Sequence, residues 1–125
     1  MALLAIWIDG EKAKLFEFTS EKLIHTELKD PSPLHHTHGE DQLAHQRKEH
    51  DFFKTFLPKL QEATEILITG PGVTKSHLQK FLVEHHAEIG KKIVACEASD
   101  HPTEPQIIEL ARKHFSHEHL KLFKV

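Results

Sequence analysis

Residues Ala2-Leu3-Leu4-Ala5-Ile6-Trp7-Ile8 carry no charged side chain, and the run ends at Asp9-Gly10. A strand with one wet face alternates polar and apolar residues, so a run apolar at every position needs cover on both sides. It is well short of the ~20 apolar residues that span a bilayer. It also lacks the basic flank and small-residue cleavage site of a secretion signal. The segment Ala2–Asp9 therefore reads as the central strand of a sheet with helices on its faces, and no membrane association is expected.

The rest of the chain can be laid around that strand. Asp9-Gly10 is a hairpin signal, and Lys12–Thr19 continues as a second strand. Thr19-Ser20-Glu21 turns into a third, Lys22–Leu28, where Leu23, His25 and Glu27 alternate with Ile24, Thr26 and Leu28. From Asp30 to about His50, Pro31, Pro33, Gly39 and a set of histidines erase any apolar period, which predicts an exposed His-rich loop at about 30–50. Phe53, Phe56, Leu57 and Leu60, widened by Phe52, mark a helix that Pro58 should bend. Glu65–Thr69 is a short buried strand.

Gly70-Pro71-Gly72 opens the next turn, with Thr74 expected as N-cap and Val73 and Leu78 as a hydrophobic staple. Leu78, Phe81, Leu82 and Ile89 line the inner face of that helix, and Gly90 ends it. Lys92–Cys96 is the last strand. Thr103-Glu104-Pro105-Gln106 is a capping box for a helix through Ile107, Leu110, Ala111 and Phe115. The tail His117–Val125 is expected to add a short strand or to stay mobile. The order β-β-β-α-β-α-β-α gives an α/β fold with a mixed five-stranded sheet. With 125 residues, no repeat and no linker, one domain over 1–125 is expected.

Hydrophobic residues are 38% and charged residues 28% of the chain, the balance of a folded domain rather than a disordered one. A single cysteine, Cys96, excludes a disulfide framework and a thiolate metal cage, and points to a reducing, cytoplasmic setting. The formal net charge of −3 argues against a stand-alone nucleic-acid binder. The 13 histidines qualify this, because full protonation would carry the charge well past neutrality.

Three segments resemble the middle domain of the archaeal and eukaryotic class I peptide release factors and the related ribosome-rescue factor Pelota. They are the hairpin Ala5–Phe16, the element Ile66-Leu67-Ile68-Thr69-Gly70-Pro71-Gly72-Val73-Thr74-Lys75, and the late strand followed by Ala98-Ser99-Asp100 and a helix. Nearly the whole chain is covered. It is also similar to short bacterial proteins known as translational machinery components or host attachment proteins, through Glu97-Ala98-Ser99-Asp100-His101-Pro102. The resemblance implies a ribonuclease-H-like α/β/α sandwich. It also implies partners in the ribosome, rRNA or tRNA, or a ribosomal protein. In the release factors the loop before the first long helix carries Gly-Gly-Gln; here the corresponding stretch is His38-Gly39-Glu40-Asp41-Gln42. The glycine pair is lost and two carboxylates face what would be RNA phosphates, so peptidyl-tRNA hydrolysis does not carry over. The 125 residues have no room for a codon-reading or a partner-binding domain.

Four sets of residues carry possible chemistry. Gly70, Gly72, Thr74 and Lys75 can cradle a phosphate at a helix N-terminus, or form a plain tight turn. Arg112 and Lys113, with His114, Lys121 and Lys124 nearby, make the C-terminal region basic, either as an RNA contact or as a solvated face. His35, His36, His38, His45 and His50 can bind a divalent metal weakly, although no spacing matches a defined site. Asp9, Glu97 and Asp100 stand at strand ends, where carboxylates on adjacent strands can hold magnesium for a nuclease or hydrolase; in turns, aspartate is equally a conformational choice. Trp7 and Cys96 read as core. The expected function is a non-enzymatic ribosome- or RNA-associated module with no cofactor. The alternatives are a metal-dependent nuclease and a protein–protein interaction domain.

Overall fold

The apolar run forms strand β1 (Ala2–Ile8), the middle of a five-stranded sheet of order β3-β2-β1-β4-β5. The computed structural model describes residues 2–30 and 42–122. Strand β2 (Lys12–Phe18) runs antiparallel to β1, and β3 (Leu23–Lys29) runs antiparallel to β2. On the other side β4 (Ala63–Gly70) pairs with β1 in parallel, and β5 (Ile93–Ala98) pairs with β4 in parallel. Asp9 makes the first hairpin: its carboxylate accepts the N–H groups of Glu11 and Lys12 at 2.8 and 2.9 Å. This is the conformational role expected of an aspartate in a turn.

Side chains alternate across a strand, so β1 supplies two cores at once. Leu4, Ile6 and Ile8 join Ile66 and Ile68 of β4 under Phe52, Phe53, Phe56, Leu60, Leu78, Phe81, Leu82 and Ile89. Leu3, Ala5 and Trp7 join Leu67 under Ile107, Ala111, Phe115 and Leu120. The first covering group comes from α1 (Gln42–Lys54), α2 (Leu57–Glu62) with Phe56 just before it, α3 (Thr74–His85) and α4 (Ala87–Gly90). The second comes from α5 (Glu104–His114), Phe115 just beyond it, and α6 (His117–Leu120). The result is the expected α/β/α sandwich, and Trp7 is core at 1% exposure. The Thr103–Gln106 capping box is also present in both directions.

Several boundaries differ from expectation. The second half of the supposed loop, from Gln42 onward, is helix α1. Good helix formers without glycine or proline fill Gln42–Lys54. The apolar period is missing there because packing against the core begins only at Phe52 and Phe53. Pro58 does not bend one helix but separates two: α1 stops at Lys54, and Pro58 falls in the first turn of α2, where its missing N–H costs nothing.

Thr74 is the first helical residue rather than the cap. Val73, already in a helical conformation, precedes it and accepts the N–H groups of Ser76 and His77 with no side-chain bond. Val73 is 64% exposed while Leu78 is fully buried, so no staple forms. Gly90 ends the short helix α4, because the chain breaks first at His86. The first part of the tail forms α6, not a strand.

That tail is held by a buried carboxylate. Glu65, at the beginning of β4, accepts the Ser116 N–H at 3.0 Å and lies 2.6 Å from His119 Nδ1. Burial pushes the Glu65 carboxyl up, but the bonds from His119 and Ser116 outweigh it and hold it below its usual value. A folded-state pKa below the unfolded one means the contribution is complete above the ordinary glutamate range and fades as pH falls through the lower folded value. Removing the acceptor by Glu65→Ala is expected to cost about 1.5–3 kcal/mol in urea denaturation near neutral pH. The same substitution should flatten the acid limb of a stability–pH curve; an unchanged limb would remove Glu65 as its origin.

Candidate functional site

The parallel strands β1, β4 and β5 all finish at one end of the sheet, where loops of open α/β folds bind their ligands. There Gly70 closes β4 with φ 148°, and a Cβ at this position would lie 2.1 Å from the Ile8 carbonyl oxygen. Only glycine lets the end of β4 approach β1 so closely. Gly72, with φ 63°, takes the left-handed conformation that turns the chain into α3, and it faces open space.

The neighbouring loop is tied to this turn. Thr69, fully buried, donates its hydroxyl to Glu97 O at 2.7 Å and sits 2.7 Å from the Ser99 hydroxyl. The Ser99 N–H reaches Gly70 O at 3.1 Å, and the Trp7 indole donates to Asp100 O at 2.7 Å. The loop Ser99–Pro102 is thus fastened to β4 and β1 together, which fixes its position.

Lys75 turns back and donates its ammonium to Gly72 O. It also lies near Cys96, a half-buried thiol that packs against the core. Burial pushes that thiol up more strongly than the Lys75 charge pulls it down, so it stays protonated at neutral pH.

Arg112 and Lys113 lie elsewhere, in a groove of about 910 Å³ between the end of β5 and α5 that also takes in Ser99, Asp100, His101 and Gln106. Arg112 reaches Glu109 at 3.2 Å, and Lys113 is exposed. Their place in the last turn of α5 suits the negative end of the helix dipole. The phosphate set from the sequence therefore divides into a turn and a groove, joined through Ser99.

Among the histidines of the proposed metal set, His35, His36 and His38 lie outside the described residues. His45 and His50 stand on α1 and line a cavity of about 300 Å³ toward α3, with Glu49, His77, Lys80 and Glu84. His77 Nδ1 is 2.9 and 3.1 Å from the two Glu49 oxygens. His50 packs on Phe81 at 4.6 Å between ring centroids, and burial, then the neighbouring His85, lower its pKa. Among the described residues, no group of three or more His, Cys, Asp or Glu side chains is placed to hold a metal ion. Nor do Asp9 and Glu97 stand on adjacent strands, because β4 lies between β1 and β5.

The Glu–His pairs are not visible in the spacing of the sequence. Besides Glu49–His77 and Glu65–His119, Glu97 lies 3.0 Å from His114 Nε2, out of line for a hydrogen bond. One signal was present: a charged residue entering the apolar run at Glu65 needs a partner when it is buried.

Pelota from Archaeoglobus fulgidus aligns with 90% of the chain at a TM-score of 0.63 and 16% identity. The chain has the Pelota and release-factor fold. Thermoplasma acidophilum Pelota aligns over 98% of the chain (TM-score 0.60, 15% identity), and the archaeal translation termination factor aRF1 over 90% (0.57, 12%). Dom34 of S. cerevisiae, a translation termination-like factor, aligns over 96% (0.55, 11%). The chain spans about a third of the length of each, between 31% and 35%. No protein-family model matches the chain, and no curated protein matches it by sequence. Among the described residues, no helix of this Pelota-type fold is long and apolar enough to cross a membrane.

The two glycines of the turn give a sharp contrast for mutagenesis. Gly70→Ala meets both a backbone clash and a disfavoured φ and is expected to destabilise by about 2–5 kcal/mol. Gly72→Ala meets only the left-handed penalty of about 1–2 kcal/mol. Urea midpoints that fall equally for both would contradict the close approach of β4 to β1.

Proposed function

We propose that this chain is a non-enzymatic binding module of the translation machinery that docks on the ribosome through RNA contacts. The observation that carries the reading is the fold: 90% or more of the chain follows proteins described as Pelota, a translation termination factor and a termination-like factor. The site agrees with a binding role. A loop fastened by Thr69 and Trp7 borders a groove that presents Arg112 and Lys113. The catalytic tripeptide is replaced by His38-Gly39-Glu40-Asp41-Gln42, and Asp9 is engaged by its own hairpin. Lys75, held on Gly72 O, supports the turn and contributes positive charge near it.

Cosedimentation with purified ribosomes at moderate salt tests the reading, at about pH 6 and about pH 7.5. The chain is expected in the ribosomal pellet, more strongly at the lower pH, where exposed imidazoles gain charge. The double substitution Arg112→Glu/Lys113→Glu should weaken pelleting about tenfold or more, and Lys75→Glu should weaken it less. A chain that stays in the supernatant at both pH values would reduce the likeness to a shared fold.

A further inference from the structure

On the α5 side of the sheet, the residues of β2 and β3 nearest the Asp9 hairpin are exposed or half-exposed. Lys12 and Lys14 lie on the same face of β2 as the buried Phe16 and Phe18. Lys12 is paired directly with Lys29 across the ladder, and Lys14 with Glu27. Directly opposed residues share a face, so Lys12, Lys14 and Lys29 project together.

Beneath them lies the Trp7 ring, with Lys14 Nζ 5.3 Å and Lys12 Nζ 6.0 Å from its centroid, within cation–π reach. Exposed imidazoles flank the group: His101 against Trp7 at 5.5 Å, and His25 stacked on Phe16 at 4.5 Å and 13°. The nearby carboxylates are Glu27, 3.9 Å from Lys12, Asp100, 3.7 Å from His101, Asp9, which is taken up by the hairpin amides, and Glu11 and Asp30, which adjoin Lys12 and Lys29 in the chain.

Folding accounts for Lys14, which opposes Glu27, but not for Lys12 against Lys29, because like charges directly opposite one another destabilise a ladder. Lysine on an edge strand guards against aggregation, which accounts for Lys29 on β3. Edge protection does not extend to Lys12 and Lys14, since β2 is paired on both sides, and the single Glu27 beside them leaves the three lysines in excess. In a chain of net charge −3 the three ammonium groups are a local concentration. Their spacing, about 7 Å along a strand and about 5 Å across it, presents a row of cations to a polyanion. Single-stranded RNA is bound by such rows together with aromatic rings that stack on its bases. An acidic protein segment would satisfy the lysines but leave the exposed rings unused.

We propose that Lys12, Lys14 and Lys29, with the stacked His25 ring, form a binding surface for the phosphate backbone and bases of single-stranded RNA. The inference rests on the RNA-contact reading above and gives it a second surface, which meets the Arg112–Lys113 groove at His101.

The test is binding of a fluorescein-labelled uridine dodecamer, read by anisotropy and by the emission of Trp7, the only tryptophan. Between about 50 and 200 mM salt, three lysine contacts predict a log–log slope near −2. The triple substitution Lys12→Gln/Lys14→Gln/Lys29→Gln should weaken binding about tenfold or more and flatten that slope, while the triple Lys→Arg variant keeps both. Circular dichroism verifies that each variant is folded. Equal binding by the glutamine variant overturns the proposal. So does a wild-type chain that ignores the oligonucleotide yet pellets with ribosomes, an outcome that leaves the ribosomal reading standing. Failure in both assays removes both. Preference for a polyglutamate peptide over RNA would assign the patch to a protein and overturn it as well.

Discussion

Strand β1 is apolar on both faces, and the rest of the structure is arranged to keep water from it. Its even residues enter the core under α1 to α4, and its odd residues enter the core under α5 and α6. Removing either helical layer would expose the same strand, so the two layers are energetically coupled through it. The parallel partner β4 can lie against β1 to its very end only because Gly70 has no Cβ to meet the Ile8 carbonyl. That contact fixes where the turn to α3 begins, and through Ser99 it also fixes the loop before α5.

The functional surfaces follow from the same geometry. Strands that end together bring Gly70–Lys75 and Ser99–Pro102 to one edge, and the Trp7 indole anchors the second loop from below. Trp7 serves twice, because its other contacts lie with Lys12 and Lys14 on the hairpin. A residue that the composition marks only as core therefore links a fastened loop to a cationic patch. The chain carries slightly more acid than base, so any RNA contact must come from charge gathered locally rather than from the molecule as a whole.

Local chemistry was legible in the sequence, and long-range pairing was not. The central strand, the Asp9 hairpin, the Gly70–Gly72 turn and the Thr103 capping box each depend on a few adjacent residues, and all stand where the sequence places them. The start of α1 was hidden because propensity alone forms its first turns, with no apolar stripe to announce it. Pro58 interrupts an apolar spacing that suggests one helix, yet it begins a second. The Glu49–His77 and Glu65–His119 contacts join residues 28 and 54 positions apart, and Lys12 meets Lys29 only once the strand register is known. The histidine set shows the same limit, since His45 and His50 acquire neighbours on α3 that no spacing rule specifies. The fold itself was legible through its resemblance to Pelota and the release factors, and the structural comparison bears that out.

Hydrogen–deuterium exchange of the chain, free and bound to ribosomes, tests the account most directly, because it reads every surface at once. Binding is expected to slow exchange in the β2–β3 hairpin and in the loop after β5, while the α1–α3 face keeps its free-state rates. Protection confined to α1 and α3, or no change anywhere on the chain, would contradict it.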